Sequence, residues 1–363
     1  MTTKHKVLIS VPSLSGTGGV TSFWNALFKS FKEYKDIEFK ILEIGGHGKN
    51  IFGPIVDQWR FHNSCTKEID IALINPSLLN RSFFRDGLFA KQLSSKDIPF
   101  IVFFHGWDLE FEKVVEKRYI NFFLNSFGKA KTIFTLSQDF KEKMIEWGYR
   151  GEIVVETTTV DDSLISNFSF EDREKNLKRK ETIKILFLAR IVKTKGVFRT
   201  IEAFKNLSKE IDNIELIIAG DGEDFDEVKR VSSGIKNIHI VGNVQGQEKI
   251  DIFKECDIYS FPTNYGEGLP ISVLEAMLFG MAIITTNDGG LKYFFQDEKM
   301  GYQIDPTDID ELTKRLKRLI LNRDKILEFG KFNFNYAQEH LTNTTAVKRL
   351  YPYLTREKSN VNK

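Results

Sequence analysis

Short, nearly unbroken runs of Val, Ile, Leu and Phe recur along the chain. Each is followed by a polar or glycine-containing loop and then, in most cases, by a segment whose apolar residues have helical spacing. In the first half the runs occupy residues 6–11, 37–44, 70–74, 100–104 and 132–136. In the second half they occupy 183–189, 214–219, 238–241, 258–261 and 282–285. A strand that is apolar at successive positions must be covered on both faces, and a helical crossover lets the next strand run in the same direction. The alternation therefore predicts an α/β fold with parallel sheets. Helices are expected over 20–31, 198–207, 225–231, 247–254, 271–279 and 308–321, with a last helical segment over 332–353.

The pattern runs, breaks and restarts. A chain of 363 residues is long enough for two domains with separate cores. The break is 171–182, dense in charge with Arg173, Lys175, Lys178, Arg179 and Lys180, which reads as a linker or a solvated helix. The expected organisation is a domain over 1–170, the charged segment 171–182, a second domain over 183–335, and a helical segment with a polar tail over 336–363.

Composition narrows the class. Net charge is +2, with no nucleic-acid signal. Residues 1–150 carry 21 Lys and Arg against 16 Asp and Glu, and the remainder 31 against 34. A mildly basic first half suits an anionic acceptor, an anionic membrane surface or a plain solvated surface. Two cysteines, Cys65 and Cys256, build neither a disulfide framework nor a metal cluster, which points to a reducing, cytoplasmic compartment. The apolar run 7–11 is too short for a signal peptide, and no run of about 18 apolar residues is present to span a membrane.

One segment carries most of the chemistry: Tyr265-Gly266-Glu267-Gly268-Leu269-Pro270-Ile271-Ser272-Val273-Leu274-Glu275. Two carboxylates are separated by seven residues. Gly268 allows close backbone approach to a ligand, and Pro270 suits the first position of a helix, whose unpaired N–H groups form an anion site. Glu275, one to two turns into that helix, suits a diol such as ribose. Upstream, a strand ends at Arg190 and is followed by Lys195-Gly196. A guanidinium and an ammonium there would neutralise a diphosphate. Acids for sugar and ribose, with cations for a pyrophosphate, fit a nucleotide-sugar.

In that order of motifs, from the strand ending in Arg190 through Ala219-Gly220-Asp221-Gly222 and Val241-Gly242-Asn243-Val244 to the two glutamates and Gly280, the chain resembles the family-4 retaining glycosyltransferases. The resemblance runs from Lys6 to about Leu354. It implies the GT-B architecture, with two Rossmann-like domains facing each other across a cleft, and a final segment that crosses back onto the first domain. It implies transfer of a sugar from a UDP- or GDP-sugar to a glycan or lipid-linked acceptor with retained configuration. It implies a reaction without a cofactor or a metal. Glu267 would lie against the donor sugar and Glu275 would bind ribose. Arg190 and Lys195 would hold the pyrophosphate and stabilise the leaving group. Gly18 and Gly19, with Val20, would close over the donor phosphate, and His105 would face the donor sugar. Gly268, Leu269 and Pro270 complete the donor site, and the base would meet backbone near Val244. The Glu-Gly-Leu-Pro variant resembles enzymes of bacterial surface-polysaccharide assembly. One departure is Gly280-Met281-Ala282, where the family has Gly-x-Pro.

Rival readings exist for several features. Gly16-Thr17-Gly18-Gly19 has Thr21 where a dinucleotide fingerprint needs its third glycine, so it reads as a phosphate-closing loop or a plain turn. An NAD-dependent oxidoreductase would use Glu43, after the second strand, for ribose, and leaves Arg190, Lys195, Glu267 and Glu275 without a task. Sugar-nucleotide hydrolysis or epimerisation, and a non-catalytic sugar-nucleotide-binding subunit, are further alternatives. Asp224-Phe225-Asp226 and Asp308-Ile309-Asp310 each open an expected helix, where acids favour the dipole. The stretch 111–131 interleaves Phe111, Val115, Tyr119, Phe122 and Phe123 with five cations. Such a stripe suits either peripheral contact with the inner membrane face or a core-facing helix.

Overall fold

The computed structural model describes residues 4–16, 19–45, 52–265 and 269–355. The chain divides into two compact units. One runs to Thr158 and resumes at Ala346; the other is Thr159–Thr345.

The first unit is built on β1 (His5–Pro12), β2 (Ile37–Ile44), β3 (Ile71–Ile74), β5 (Phe100–Phe103), β7 (Thr132–Thr135) and β8 (Glu152–Val155), all parallel, in the order β2-β1-β3-β5-β7-β8. The short strands β4 (Ser77–Leu78) and β6 (Gly106–Trp107) pair beside it. Side chains alternate across the central strands into two cores. Leu8, Ala72, Ile74, Val102 and Ile133 enter one. Val7, Ile9, Ile71, Leu73, Ile101 and Phe134 enter the other. The helix Asn343–Thr355 closes the second core with Val347, Leu350 and Leu354. Arg349 on that helix binds the buried Glu156, with Nε donating to Oε2 at 2.9 Å.

The second unit is built on β9 (Ile183–Leu188), β10 (Ile214–Ala219), β11 (Ile238–Gly242), β12 (Ile258–Phe261), β13 (Ala282–Thr286) and β14 (Gly301–Ile304). They are parallel, in the order β11-β10-β9-β12-β13-β14. The chain enters in the middle, adds two strands on one side and returns to the other. The direction of travel therefore reverses between β9 and β12, and ligands of open parallel sheets bind at such reversals, beyond the carboxyl ends of the strands. In the first unit the reversal lies between β1 and β3.

Both sheets end in a sixth strand that sequence patterning did not mark. Glu152–Val155 lies at an edge with two of its four residues exposed, and Gly301 adopts φ +147°, so neither reads as a plain apolar run. The charged stretch after residue 169 contains the helix Phe170–Arg179, within the second unit. There the buried Arg173 donates to the carbonyls of Gly280 and Cys256, at 3.0 and 2.6 Å. The stretch 111–131 is not one helix but two, Leu109–Arg118 and Ile120–Leu124. Val115 and Phe123 are fully buried in the core, with Phe111, Tyr119 and Phe122 packed against it. No helix among the described residues is long and apolar enough to cross a membrane. Cys65 and Cys256 are free and buried, one in each unit, and burial pushes their thiols up to about 11 and about 12.

Candidate functional site

In the second unit a pocket of about 420 Å³ opens beyond the carboxyl ends of β9, β10 and β11. Leu188, Ala189 and Arg190 come from the first, Gly220 and Asp221 from the second, and Asn243 and Val244 from the third. Lys249 enters from the helix Gly246–Glu255. The strand ends approach this closely because residue 220 is glycine. Its φ is +136°, and a Cβ there would meet the Ala189 carbonyl oxygen at 1.9 Å. Arg190 is exposed at the pocket, and its side chain makes no hydrogen bond among the described residues.

The turn Lys193–Lys195 follows, pinned where Asp224 Oδ2 accepts the Lys193 N–H at 2.6 Å. Gly196, at φ +90°, caps that turn and opens the helix Val197–Leu207. A Cβ on it would strike the Pro262 carbonyl oxygen at 2.2 Å, so only glycine seats this helix against the end of β12. Lys195 is buried, with Nζ 4.0 Å from the centre of the Tyr265 ring. Glu267, with Gly268 and Gly18, lies outside the described residues.

The helix expected over 271–279 runs Ile271–Leu278, and Pro270, expected at its first position, is its N-cap in extended conformation. This corrects the placement of the proline by one position. Its carbonyl accepts from Val273 and Leu274, while the N–H groups of Ile271 and Ser272 have no backbone partner among the described residues. Leu269 packs against the core. Glu275 is buried in the second turn of this helix, and Lys249 Nζ donates to its Oε1 at 2.6 Å. Burial pushes the Glu275 carboxyl up. Lys249 pulls it back, and Asp161 adds to the rise. Tyr259 steadies the first turn of the helix by donating to the Leu188 carbonyl at 2.8 Å, with Ser272 Oγ 2.7 Å from its hydroxyl.

His105 and Gly19 belong to the first unit. Gly19 opens the helix Gly19–Phe31 beside the β1/β3 reversal. His105 follows β5, and its ring stacks on Phe103 at 4.0 Å with Phe23 edge-on at 5.2 Å. Its Nε2 is 2.8 Å from Asn75 Oδ1, which also accepts from Trp24 Nε1 at 2.9 Å, while Asn75 Nδ2 donates to the Ser10 carbonyl at 2.7 Å. With the amide oriented by Ser10 and Trp24, Oδ1 can only accept, so Nε2 carries the proton. Burial holds the ring neutral, with its pKa down at about 3. Nδ1 is therefore an acceptor, suited to a hydroxyl group.

The structure thus places Arg190, Val244 and, through Lys249, Glu275 at one pocket, with Lys195 on the adjoining turn. Sequence reasoning singled out neither Lys249 nor Asn75. Lys249 lies in an ordinary helix and Asn75 just past a strand end, and neither stands in a recognisable motif. Both Asp224 and Asp308 stand at helix starts, but only Asp308 caps its helix. Asp224 takes the Lys193 amide, and Asp308 caps the Glu311 amide at 2.8 Å. Among the described residues no group of three His, Cys, Asp or Glu could hold a metal ion.

Two parallel α/β units with this site define the GT-B glycosyltransferase fold. Residues 168–335 match the model of the family glycosyl transferases group 1. An uncharacterized glycosyltransferase of Methanocaldococcus jannaschii is 29% identical over 224 residues, which is 61% of this chain and 55% of that protein. The lipopolysaccharide 1,2-N-acetylglucosaminetransferase of Salmonella typhimurium is 26% identical over 174 residues, 42% of this chain and 46% of that protein. The chain thus spans about half the length of these curated relatives. The solved structure of Anabaena HepE in complex with UDP and glucose superposes with a TM-score of 0.65 at 15% identity. It covers 97% of this chain and 100% of that one, a likeness of fold.

Proposed function

We propose that this chain is a retaining glycosyltransferase that moves a sugar from a nucleotide-sugar, such as a UDP- or GDP-sugar, to a glycan or lipid-linked acceptor in the assembly of a bacterial surface polysaccharide. The observation that carries this reading is the pocket at the carboxyl ends of β9, β10 and β11. It is lined by the exposed Arg190, by Val244 and by Lys249, and Lys249 is paired with the buried carboxylate of Glu275. A diphosphate, a ribose and a base need groups of these kinds. The Salmonella relative's action on lipopolysaccharide and the UDP in the Anabaena structure support the pathway and the donor class.

In this reading Arg190 and Lys195 take the pyrophosphate, Glu275 the ribose, Val244 the base, and Gly268, Leu269 and Pro270 the donor's distal end. Glu267 and His105 meet the donor sugar, and Gly18 and Gly19 close on the phosphate. The neutral His105 accepts a sugar hydroxyl at Nδ1. The cations stabilise charge as the nucleoside diphosphate departs, and the acceptor attacks from the face the leaving group vacates. Neither a metal nor another cofactor takes part. The enzyme works in the cytoplasm, at or near the membrane that holds its acceptor.

The test is a thermal-shift and calorimetric screen of UDP, GDP and NAD. Binding to the native state raises its apparent stability. A shift with UDP or GDP and turnover that persists with chelator are the expected results. Binding of NAD alone would favour an oxidoreductase, and loss of transfer on chelation restored by manganese would overturn the metal-free mechanism.

A further inference from the structure

Lys249 belongs to no motif, yet it is the residue that ties the buried carboxylate to the pocket. Its side chain is 25% exposed and that of Glu275 is 8% exposed, so the pair bridges the pocket wall and the interior. Only Oε1 of Glu275 is engaged. Oε2 makes no hydrogen bond among the described residues, and it is not among the sealed, unpartnered polar atoms. One oxygen is therefore held from behind while the other stays accessible. A carboxylate this buried is costly to ionise without a partner. The charged groups acting on it are Lys249, from the helix Gly246–Glu255, and Asp161, from the segment that precedes the turn Asp162–Ile165. The second opposes ionisation, and among the described residues Lys249 is the group that favours it.

We propose that Lys249 is a positioning residue of the donor site: it holds Oε1 of Glu275 and so leaves Oε2 to the ribose 2′-hydroxyl of the nucleotide. The proposal rests on the donor site described above and adds how that site distinguishes a ribose from a deoxyribose. A ribose hydroxyl donates to Oε2, and a protonated Glu275 would offer a poorer acceptor. Removing Lys249 leaves burial and Asp161 unopposed, so the carboxyl titrates at higher pH. Nucleotide affinity that needs the ionised form is then lost as pH falls, starting from a higher pH than in the wild type.

The experiment measures binding of UDP and GDP, then of the tighter ligand and its 2′-deoxy analogue, by calorimetry between pH 6 and 9 as a chosen range. The proteins are the wild type, Lys249→Met, Lys249→Arg, Glu275→Gln and the double variant. Lys249→Met is expected to weaken ribonucleotide binding roughly tenfold to hundredfold at neutral pH, to recover in part at alkaline pH, and to leave 2′-deoxy binding nearly unchanged. Lys249→Arg restores the preference for ribose, and Lys249→Met has no further effect once Glu275 is Gln. Equal losses for ribose and deoxyribose, or additive effects in the double variant, reduce Lys249 to a structural residue and overturn the proposal. If Lys249→Met does not fold, the Lys249→Arg and double-variant arms decide between the same outcomes. Failure of the wild type to bind either nucleotide overturns the donor-site reading itself, and with it this role.

Discussion

The two units share six parallel strands and a central entry, but they differ at the reversal of the sheet. In the first unit that end is lined by Trp24, Phe23, Phe103, Asn75 and a neutral His105, joined by hydrogen bonds and ring contacts. In the second it carries Arg190, Lys195, Lys249 and Glu275. The strand orders differ as well, β2-β1-β3 against β11-β10-β9. Similar scaffolds therefore present opposite electrostatic characters. One offers a polar, uncharged end suited to hydroxyl groups, and the other a charged end suited to a diphosphate and a diol.

The sharpest way to break this contrast is to remove the centre of the uncharged network. Trp24 is fully buried and donates to Asn75. Trp24→Ala should cost about 3–5 kcal/mol of stability, the range for large aromatic truncations, in urea denaturation. The melting of the second unit's pocket should be untouched, so nucleoside diphosphate affinity measured below the transition should hold. A cost under about 1 kcal/mol would mean that the network is not the core it is described as.

Next in size are the cations. Arg190→Ala and Lys195→Ala should each weaken nucleoside diphosphate binding by about 1.5–3 kcal/mol, the range for charged hydrogen bonds. Calorimetry on both variants checks it, and unchanged affinity in both would remove the charge contrast between the units. The two glutamates sharpen it further. Glu275→Gln should weaken donor binding roughly tenfold, whereas Glu267→Gln should depress kcat more than donor affinity, because an interaction made mainly in the transition state affects turnover. Wild-type turnover in Glu267→Gln would end that division.

Most gradual, being spread over several pH units, is the pH dependence of the first unit. His105 has a folded pKa near 3, below the ordinary value of 6.5. Below pH 6.5 the unfolded chain takes up a proton that the native ring refuses. Stability from this residue is thus present above 6.5 and is lost as pH falls towards 3, with a slope of at most about 1.4 kcal/mol per pH unit. The slope should shrink in His105→Gln, and the ring's NMR signals should stay flat down to pH 4. A midpoint near 6.5 would mean that the ring is open to water, and that the uncharged end of the first unit does not stay uncharged.

Ten of the twelve sheet strands follow from runs such as 183–189 and 258–261, because a buried parallel strand needs unbroken apolar residues wherever the chain places it. Glu152–Val155 escaped because two of its four residues are exposed, and Gly301–Ile304 because its short run is interrupted by Gly301 and Gln303. Arg190, Lys195 and Glu275 were legible as candidates because their residue types match what a diphosphate and a ribose require. Lys249 was not, since a lysine on a helix has the same appearance whether it faces water or a buried carboxylate 26 positions away.

The chain's local chemistry determined the strands, the helices and the identity of the groups that could meet a ligand, because those depend on neighbours in sequence. Only the tertiary structure decided the strand orders, the neutrality of His105 and the pairing of Lys249 with Glu275. Each of these depends on which distant groups arrive beside one another and on how far burial strips them of water.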